Sequence, residues 1–205
     1  MRVSTLLIAV SLIFGLSACA NSGTTPTSFS PQSQTALLVV AGPKYSFAAN
    51  TGFRRVDLGS NAFLADYQGF GTGGFNGGQI NPDGPVYFSV REVAPGDYAL
   101  VSLLMVPGNT VWTCMPVGGP VFTLKPGEVT IVSTLPYWME TAAVPRPDPV
   151  SDSVLLESFA EARQAHPGLT GEARVARPLA TILWEPGGVG MTRNCSESPT
   201  FRRLP

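Results

Sequence analysis

The sequence predicts a mainly β domain, an antiparallel β-sandwich or partly open barrel with one α-helix packed alongside. Three observations predict it. Seven short apolar or alternating stretches recur between residues 35 and 184. Pro-Gly dipeptides at 95–96, 107–108, 126–127, 167–168 and 186–187 punctuate them. Only "SDSVLLESFAEARQAHPG", from Ser151, has helical spacing between a capping residue and a stop. A run of strands followed by one helix favours layered β packing over an alternating α/β sheet.

The chain opens with Arg2 and an apolar run from Val3 to Leu16, interrupted only by Ser4, Thr5 and Ser11. That run is short for a bilayer span and reads as a secretory signal. "LSAC", Leu16–Cys19, resembles the lipobox of bacterial lipoproteins: an aliphatic residue, two small ones, then cysteine. The resemblance implies that residues 1–18 are removed. It also implies that Cys19 carries a diacylglycerol and that its new amine is acylated, palmitate being one such chain. Several acyl chains hold firmly, because each buried methylene contributes about 0.8 kcal/mol. Ala20 follows the cysteine where an inner-membrane retention signal of that Gram-negative family has aspartate. The resemblance therefore implies the outer membrane, with the protein facing the periplasm. Residues 19–34 are small, polar and proline-dotted and predict a flexible tether. Residues 35–205 then form a single β-rich periplasmic domain.

The strand candidates follow in order. "TALLVVAG" (35–42) is a short apolar run. "NAFLADY" (61–67), leading into a glycine-rich stretch, is an eighth candidate beside those seven. "VYFSVREV" (86–93) alternates, with Val86, Phe88 and Val90 on one face and Tyr87, Ser89 and Arg91 on the other. "YALVSLLMV" (98–106) is apolar on both faces, as a central strand would be. "TVWTCM" (110–115), "PVFTL" (120–124), "VTIVSTL" (129–135) and "LATILW" (179–184) complete the set. "EVAPGDYAL" and "TLKPGEVTI" read as antiparallel connections. A two-residue type II hairpin would splay its strands, so slightly longer loops are expected there. The helix is expected over about 151–166. Ser151 or Asp152 caps it, Leu155, Phe159, Ala162 and His166 share helical spacing, and Pro167-Gly168 ends it.

"VYFSVREVAPGDYALVSL" and "FTLKPGEVTIV" resemble segments of bacterial lipoproteins of unassigned activity. Those proteins carry a small prealbumin-like or carboxypeptidase-regulatory-like sandwich. The resemblance implies that one strand ends in Pro-Gly and that Tyr98 starts the next. It covers about residues 85–140, rests mainly on turn chemistry and brings no catalytic residues with it.

The formal net charge is −1, so there is no basic footprint for nucleic acid. With Cys19 lipidated, Cys114 and Cys195 remain, an even pair in an oxidising compartment. They predict one disulfide, which closes a loop of roughly 80 residues and contributes about 4–5 kcal/mol in the loop-entropy picture. Two unrelated thiols, or a redox-active pair, are the alternatives. Trp112 lies two positions from Cys114 and would share its face on a strand, the sandwich arrangement of a tryptophan beside a disulfide. His166 is the only histidine and no cysteine pair has ligand spacing, so no metal site is expected. At the helix end His166 is placed to meet free carbonyls. No serine sits in a G-x-S-x-G elbow. Glu157 and Glu161 share a helix face and read as solvated, while Glu92, Asp97 and Glu128 lie in or beside turns. No catalytic residue is assigned.

Gly69, Gly71 and Gly74 spell G-x-G-x-x-G. The fingerprint needs a helix to begin at once, so that its first amides meet a pyrophosphate. Here "FNGGQINPDGP" follows, so no nucleotide or other cofactor is expected. The stretch reads instead as a glycine-rich loop over residues 69–84, with Tyr67, Phe70, Phe75 and Asn76 as a candidate binding loop for a sugar, a peptide or a partner. A plain connection or a wide bend is the alternative. The expected function is that of a membrane-anchored periplasmic lipoprotein, a non-catalytic envelope accessory or binding module with an envelope protein or glycan partner. An envelope hydrolase acting on glycan or peptide through a carboxylate pair is one alternative. A structural subunit of an envelope complex is the other.

Overall fold

A computed structural model of the chain describes residues 25–44, 49–71, 78–80, 86–105, 111–115, 118–138, 146–184 and 200–205. The fold is mainly β, in two packed sheets with one α-helix alongside. The strands are β1 (Ala36–Pro43), β2 (Ala49–Asp57), β3 (Ala62–Gly71), β4 (Gly78–Ile80), β5 (Val86–Val93) and β6 (Gly96–Met105). They continue with β7 (Val111–Cys114), β8 (Gly119–Leu124), β9 (Val129–Ser133), β10 (Ala173–Val175), β11 (Ala180–Leu183) and β12 (Arg202–Arg203). The helix, α1, spans Asp152–Ala162. The first sheet runs β10-β9-β1-β5-β4. The second runs β12-β11-β8-β6-β2-β3, with β7 also paired to β6. Two ladders of the first sheet, β1 with β9 and β9 with β10, are parallel.

The first sheet is the middle of three layers, which explains the unbroken apolar run of β1. Leu38 and Val40 join Phe53, Leu100 and Phe122 in the core between the sheets. Leu37, Val39 and Ala41 join Leu155 and Phe159 in the core under the helix. Every residue of β1 is therefore buried. The alternation expected in β5 is present, but neither face is open. Val86, Phe88 and Val90 face the helix core, and Tyr87 and Ser89 are buried on the other side.

Helix α1 forms where the spacing predicts it. The Ser151 hydroxyl accepts from the Val154 N–H at 3.4 Å, and Asp152 favours the positive end of the helix dipole. Leu155 and Phe159, four apart, present one apolar stripe to the sheet. The Phe159 ring meets Phe88 edge-on, with centroids 5.5 Å apart. The last turn tightens into a 3₁₀ segment at Arg163–Ala165, and the His166 N–H closes it on the Arg163 carbonyl at 2.8 Å.

The two Pro-Gly connections expected to join antiparallel neighbours instead carry the chain between sheets. β5 and β9 lie in the first sheet, β6 and β8 in the second. At Lys125–Glu128 the Glu128 N–H donates to the Lys125 carbonyl at 3.2 Å, and Gly127 has φ +70°, the third position of a type II turn. The twist of such a turn splays the flanking strands, so it makes a corner rather than a hairpin. The other corner is tied by Tyr98, whose hydroxyl donates to the Ala94 carbonyl at 2.9 Å. That is the tyrosine-corner arrangement of β-sandwiches.

The second sheet curls into a half-barrel whose edges meet. Ala62 bridges to Thr200, and the Phe201 N–H donates to the Asn61 carbonyl at 3.1 Å. Phe63 lies edge-on to both Trp184 and Phe201, at 5.5 and 5.2 Å. The Arg54 guanidinium stacks 4.5 Å over Phe63 and donates to the Leu64 carbonyl, and burial lowers its pKa. Gly119 leaves room for this packing. A Cβ there would stand 2.3 Å from the Leu100 carbonyl oxygen and 3.0 Å from the Trp184 ring.

Packing on the domain reaches upstream of residue 35. Phe29 is 3% exposed and belongs to the core under the helix. Its N–H donates to the Gly168 carbonyl and its carbonyl accepts from the Thr170 N–H, both at 2.8 Å. The Thr170 hydroxyl adds a bond to the same carbonyl at 2.9 Å. Pro-Gly backbone at 167–168 and the strand-like stretch after it supply partners that the polar sequence around Phe29 does not announce.

Candidate functional surface

Strand directions divide the domain into two ends. β1, β9 and β10 run one way; β5 runs against β1, and β2, β3 and β6 alternate in the second sheet. At one end, here the apex, lie the ends of β1, β3, β4 and β6 and the starts of β2, β5 and β7. The connections 44–48, 72–77, 81–85 and 106–110 leave from there. At the opposite end, the base, lie the tight turns: 58–61, Ala94-Pro95, 125–128 and 166–169. The base also receives the chain at Thr27–Thr35.

Just inside the apex the core becomes polar. The Tyr87 ring lies over Gly42, where a Cβ would stand 2.4 Å from its Cε1 and 2.8 Å from its Oη. Gly42 and Tyr87 are register partners, so only glycine lets the ring lie flat against β1. Tyr87 is 5% exposed, and its hydroxyl has no hydrogen-bond partner among the described residues. Burial pushes its pKa well above that of a free phenol. Ser89, two residues along β5, and Thr51, near the apical start of β2 in the other sheet, are buried too, each with a hydroxyl unpartnered among the described residues. Trp138 is anchored instead: its Nε1 donates to the Thr134 hydroxyl at 3.0 Å, which donates to the Ala41 carbonyl at 2.9 Å. A phenol held neutral can donate or accept a hydrogen bond but does not ionise for general-base work near neutral pH.

The candidate binding loop is reshaped by these strands. Residues 69–84 do not form one long loop. Tyr67 and Phe70 belong to β3, in register with Arg54 and Thr51 of β2. Gly69 pairs with Gly52 and Gly71 with Asn50, so the first two fingerprint glycines lie in a strand rather than a turn. Only six residues separate Gly71 from Gly78, where β4 begins. The polar start of β2, with Asn50 and Gly52, hid the partner that extends β3. Phe75 and Asn76 lie outside the described residues, as do Cys19 and Cys195. The backbone of Cys114 lies in β7, opposite Ser102.

The acids flagged in the sequence sit at the base or on the helix. Thr35 donates to Glu92 at 2.8 Å, Thr123 donates to Asp97 at 2.6 Å, and Arg174 lies 2.8 Å from Glu128. Glu157 and Glu161 are exposed on α1. Among the described residues no cluster of His, Cys, Asp or Glu has metal-holding geometry. No described helix is long and apolar enough to cross a membrane. Sequence reasoning did not single out Tyr87. Its signal was available only in combination, as an aromatic residue in a buried register facing a glycine.

No family model, curated protein or solved structure matches the chain. The functional reading therefore rests on the lipobox-like start, the two unlike ends of the domain and the chemistry of each.

Proposed function

We propose that this protein is a lipid-anchored lipoprotein of the bacterial envelope, held at Cys19 on the periplasmic face of the outer membrane. Its domain is a non-catalytic accessory or binding module that works through the apex. The observation that carries this reading is the polarity of the fold. The chain enters at the base, among short turns and paired acids, and all four longer connections named above leave from the opposite end. Loops gathered at one end of a rigid sandwich are the usual way this architecture binds. The acids at the base that a carboxylate-pair hydrolase would draw on already serve Thr35, Thr123 and Arg174. A glycan or an envelope protein is the partner class, the two kinds of molecule that a domain tethered in the envelope would meet.

Expression of the full chain in a Gram-negative host, with radiolabelled palmitate, tests the anchor. The wild-type protein incorporates label and sediments with outer membranes. Cys19→Ser loses the label and leaves the membrane fraction. Unchanged processing and unchanged membrane association in that variant would overturn the proposal.

A further inference from the structure

We infer that residues 27–35 are a fixed strap rather than part of the leash, so that the apex works at a bounded height above the membrane. This rests on the anchoring proposed above for its membrane consequence, and on the fold alone for the strap.

The strap is built into the base at three places. Phe29 inserts into the core under α1 and forms a parallel bridge with Leu169. Ser30 to Ser33 close a turn, with the Ser33 N–H on the Ser30 carbonyl at 2.9 Å and the Ser30 N–H on the Ser33 hydroxyl at 3.1 Å. Thr35 accepts the Gly127 N–H at 2.8 Å through its carbonyl, and its hydroxyl holds Glu92. Two glycines of the base make the close approach possible. A Cβ on Gly168 would lie 2.0 Å from the Thr27 carbonyl oxygen, and one on Gly127 would lie 2.1 Å from that of Pro31. The turns of Pro167-Gly168 and Pro126-Gly127 therefore receive the strap as well as reversing the chain.

The geometric consequence is a short leash. From Cys19 to Pro26 there are eight residues. Eight residues reach at most about 26–29 Å when fully extended, against about twice that for the sixteen residues of an undocked 19–34 segment. Strands of eight to ten residues raise the apex about 26–34 Å above the base. The apex thus works within roughly 60 Å of the bilayer surface. The partner it meets stands off the membrane within that distance.

Two measurements test this. Hydrogen exchange on the soluble domain carrying Cys19→Ser reads the strap without any lipid. The amides of Phe29, Gly127 and Thr170 are expected to exchange at least 100-fold more slowly than free peptide amides, and Gly168→Ala or Phe29→Ala to remove that protection while α1 amides keep theirs. Free-peptide exchange at Phe29 and Thr170 in the wild-type fold would overturn the strap. In vesicles bearing the lipidated full chain, energy transfer from a dye at exposed Lys44, just past the apical end of β1, to a headgroup acceptor reads the height. Gly168→Ala and an eight-residue Gly-Ser insertion after Ser22 should both lengthen the maximal distance, by about 25 Å. An insertion that lengthens it while Gly168→Ala does not would overturn the strap as the height-setting device. Loss of acylation, scored separately by mass, counts against the anchor and leaves the exchange result standing.

Discussion

Tyr87→Phe should stabilise the domain at neutral pH, although it removes a polar group from a buried phenol. The ring is held by the gap at Gly42, and its Cε1 and Cζ make that contact with or without the oxygen. The hydroxyl itself is buried without a partner among the described residues. An unpaired hydroxyl costs about 1–3 kcal/mol to bury, whereas a paired one contributes about 0.5–1.5 kcal/mol net. Phenylalanine is therefore expected to gain about 1 kcal/mol. Urea unfolding of the Cys19→Ser domain, followed by tryptophan fluorescence, should show a midpoint about 0.5 M higher at unchanged m. The Tm should rise about 2–4 °C. Alkali supplies a second reading. The folded pKa of Tyr87 lies above its unfolded value of about 10, so the folded state holds a proton that the unfolded chain releases. The associated stability is complete below pH 10 and is lost as pH rises beyond it, at about 1.4 kcal/mol per pH unit. Tyr87→Phe should lose that share of the slope. A destabilisation above about 1 kcal/mol at pH 7 would refute the reasoning, because it would mean that the hydroxyl is paired in the folded protein. An alkaline slope equal to that of the wild type would refute it too.

Tyr98→Phe should act in the opposite direction, since it strips the Ala94 carbonyl of its donor at a sheet-to-sheet corner. A loss of about 1–3 kcal/mol in the same urea assay is expected, and a loss under about 0.3 kcal/mol would dismiss the corner as a stabilising tie. Cys114 and Cys195 should be found linked, by peptide mapping under non-reducing conditions, in the protein purified from an oxidising compartment. Reduction should cost up to about 4–5 kcal/mol, and a free thiol at either position would count against the bond.

The strands that were legible are those whose environment is uniform along their length. β1 and β6 read as apolar runs because they lie against packed layers, and β5 reads as alternation because its two faces meet different cores. β2 was not legible. Its sequence, "ANTGFRRVD", carries Asn50, Gly52, Arg54 and Arg55, and the buried Arg54 is received by Phe63 and Leu64 of the next strand. That is a cross-strand fact with no periodic trace. β4, β10 and β12 have two or three residues each, too few for any period to register. The helix, by contrast, announces cap, stripe and stop within one local segment. At the apex the glycines and aromatics were visible, but not that β3 continues through Gly71. At the base the Pro-Gly dipeptides were recognised as turns, while their second use, as seats for Thr27 and Pro31, depends on residues far away in the chain.

The central place of β1 also sets the order in which the chain can mature. Its partners lie far downstream: Val39 is matched with Val90 on one side and with Ile131 on the other. The ladder with Ile131 joins residues 92 positions apart, and Phe29 waits longer still for Leu169. At synthesis rates of roughly 5–20 residues per second, "LLVVA" emerges several seconds before its second neighbour exists. Pairings this non-local also close slowly once available. During that interval an apolar strand with two unsatisfied edges is the segment most prone to join a neighbouring chain. The domain's most protected strand in the finished fold is thus its most exposed liability during assembly, and a holdase that binds extended apolar segments would find its first target at Leu37–Ala41.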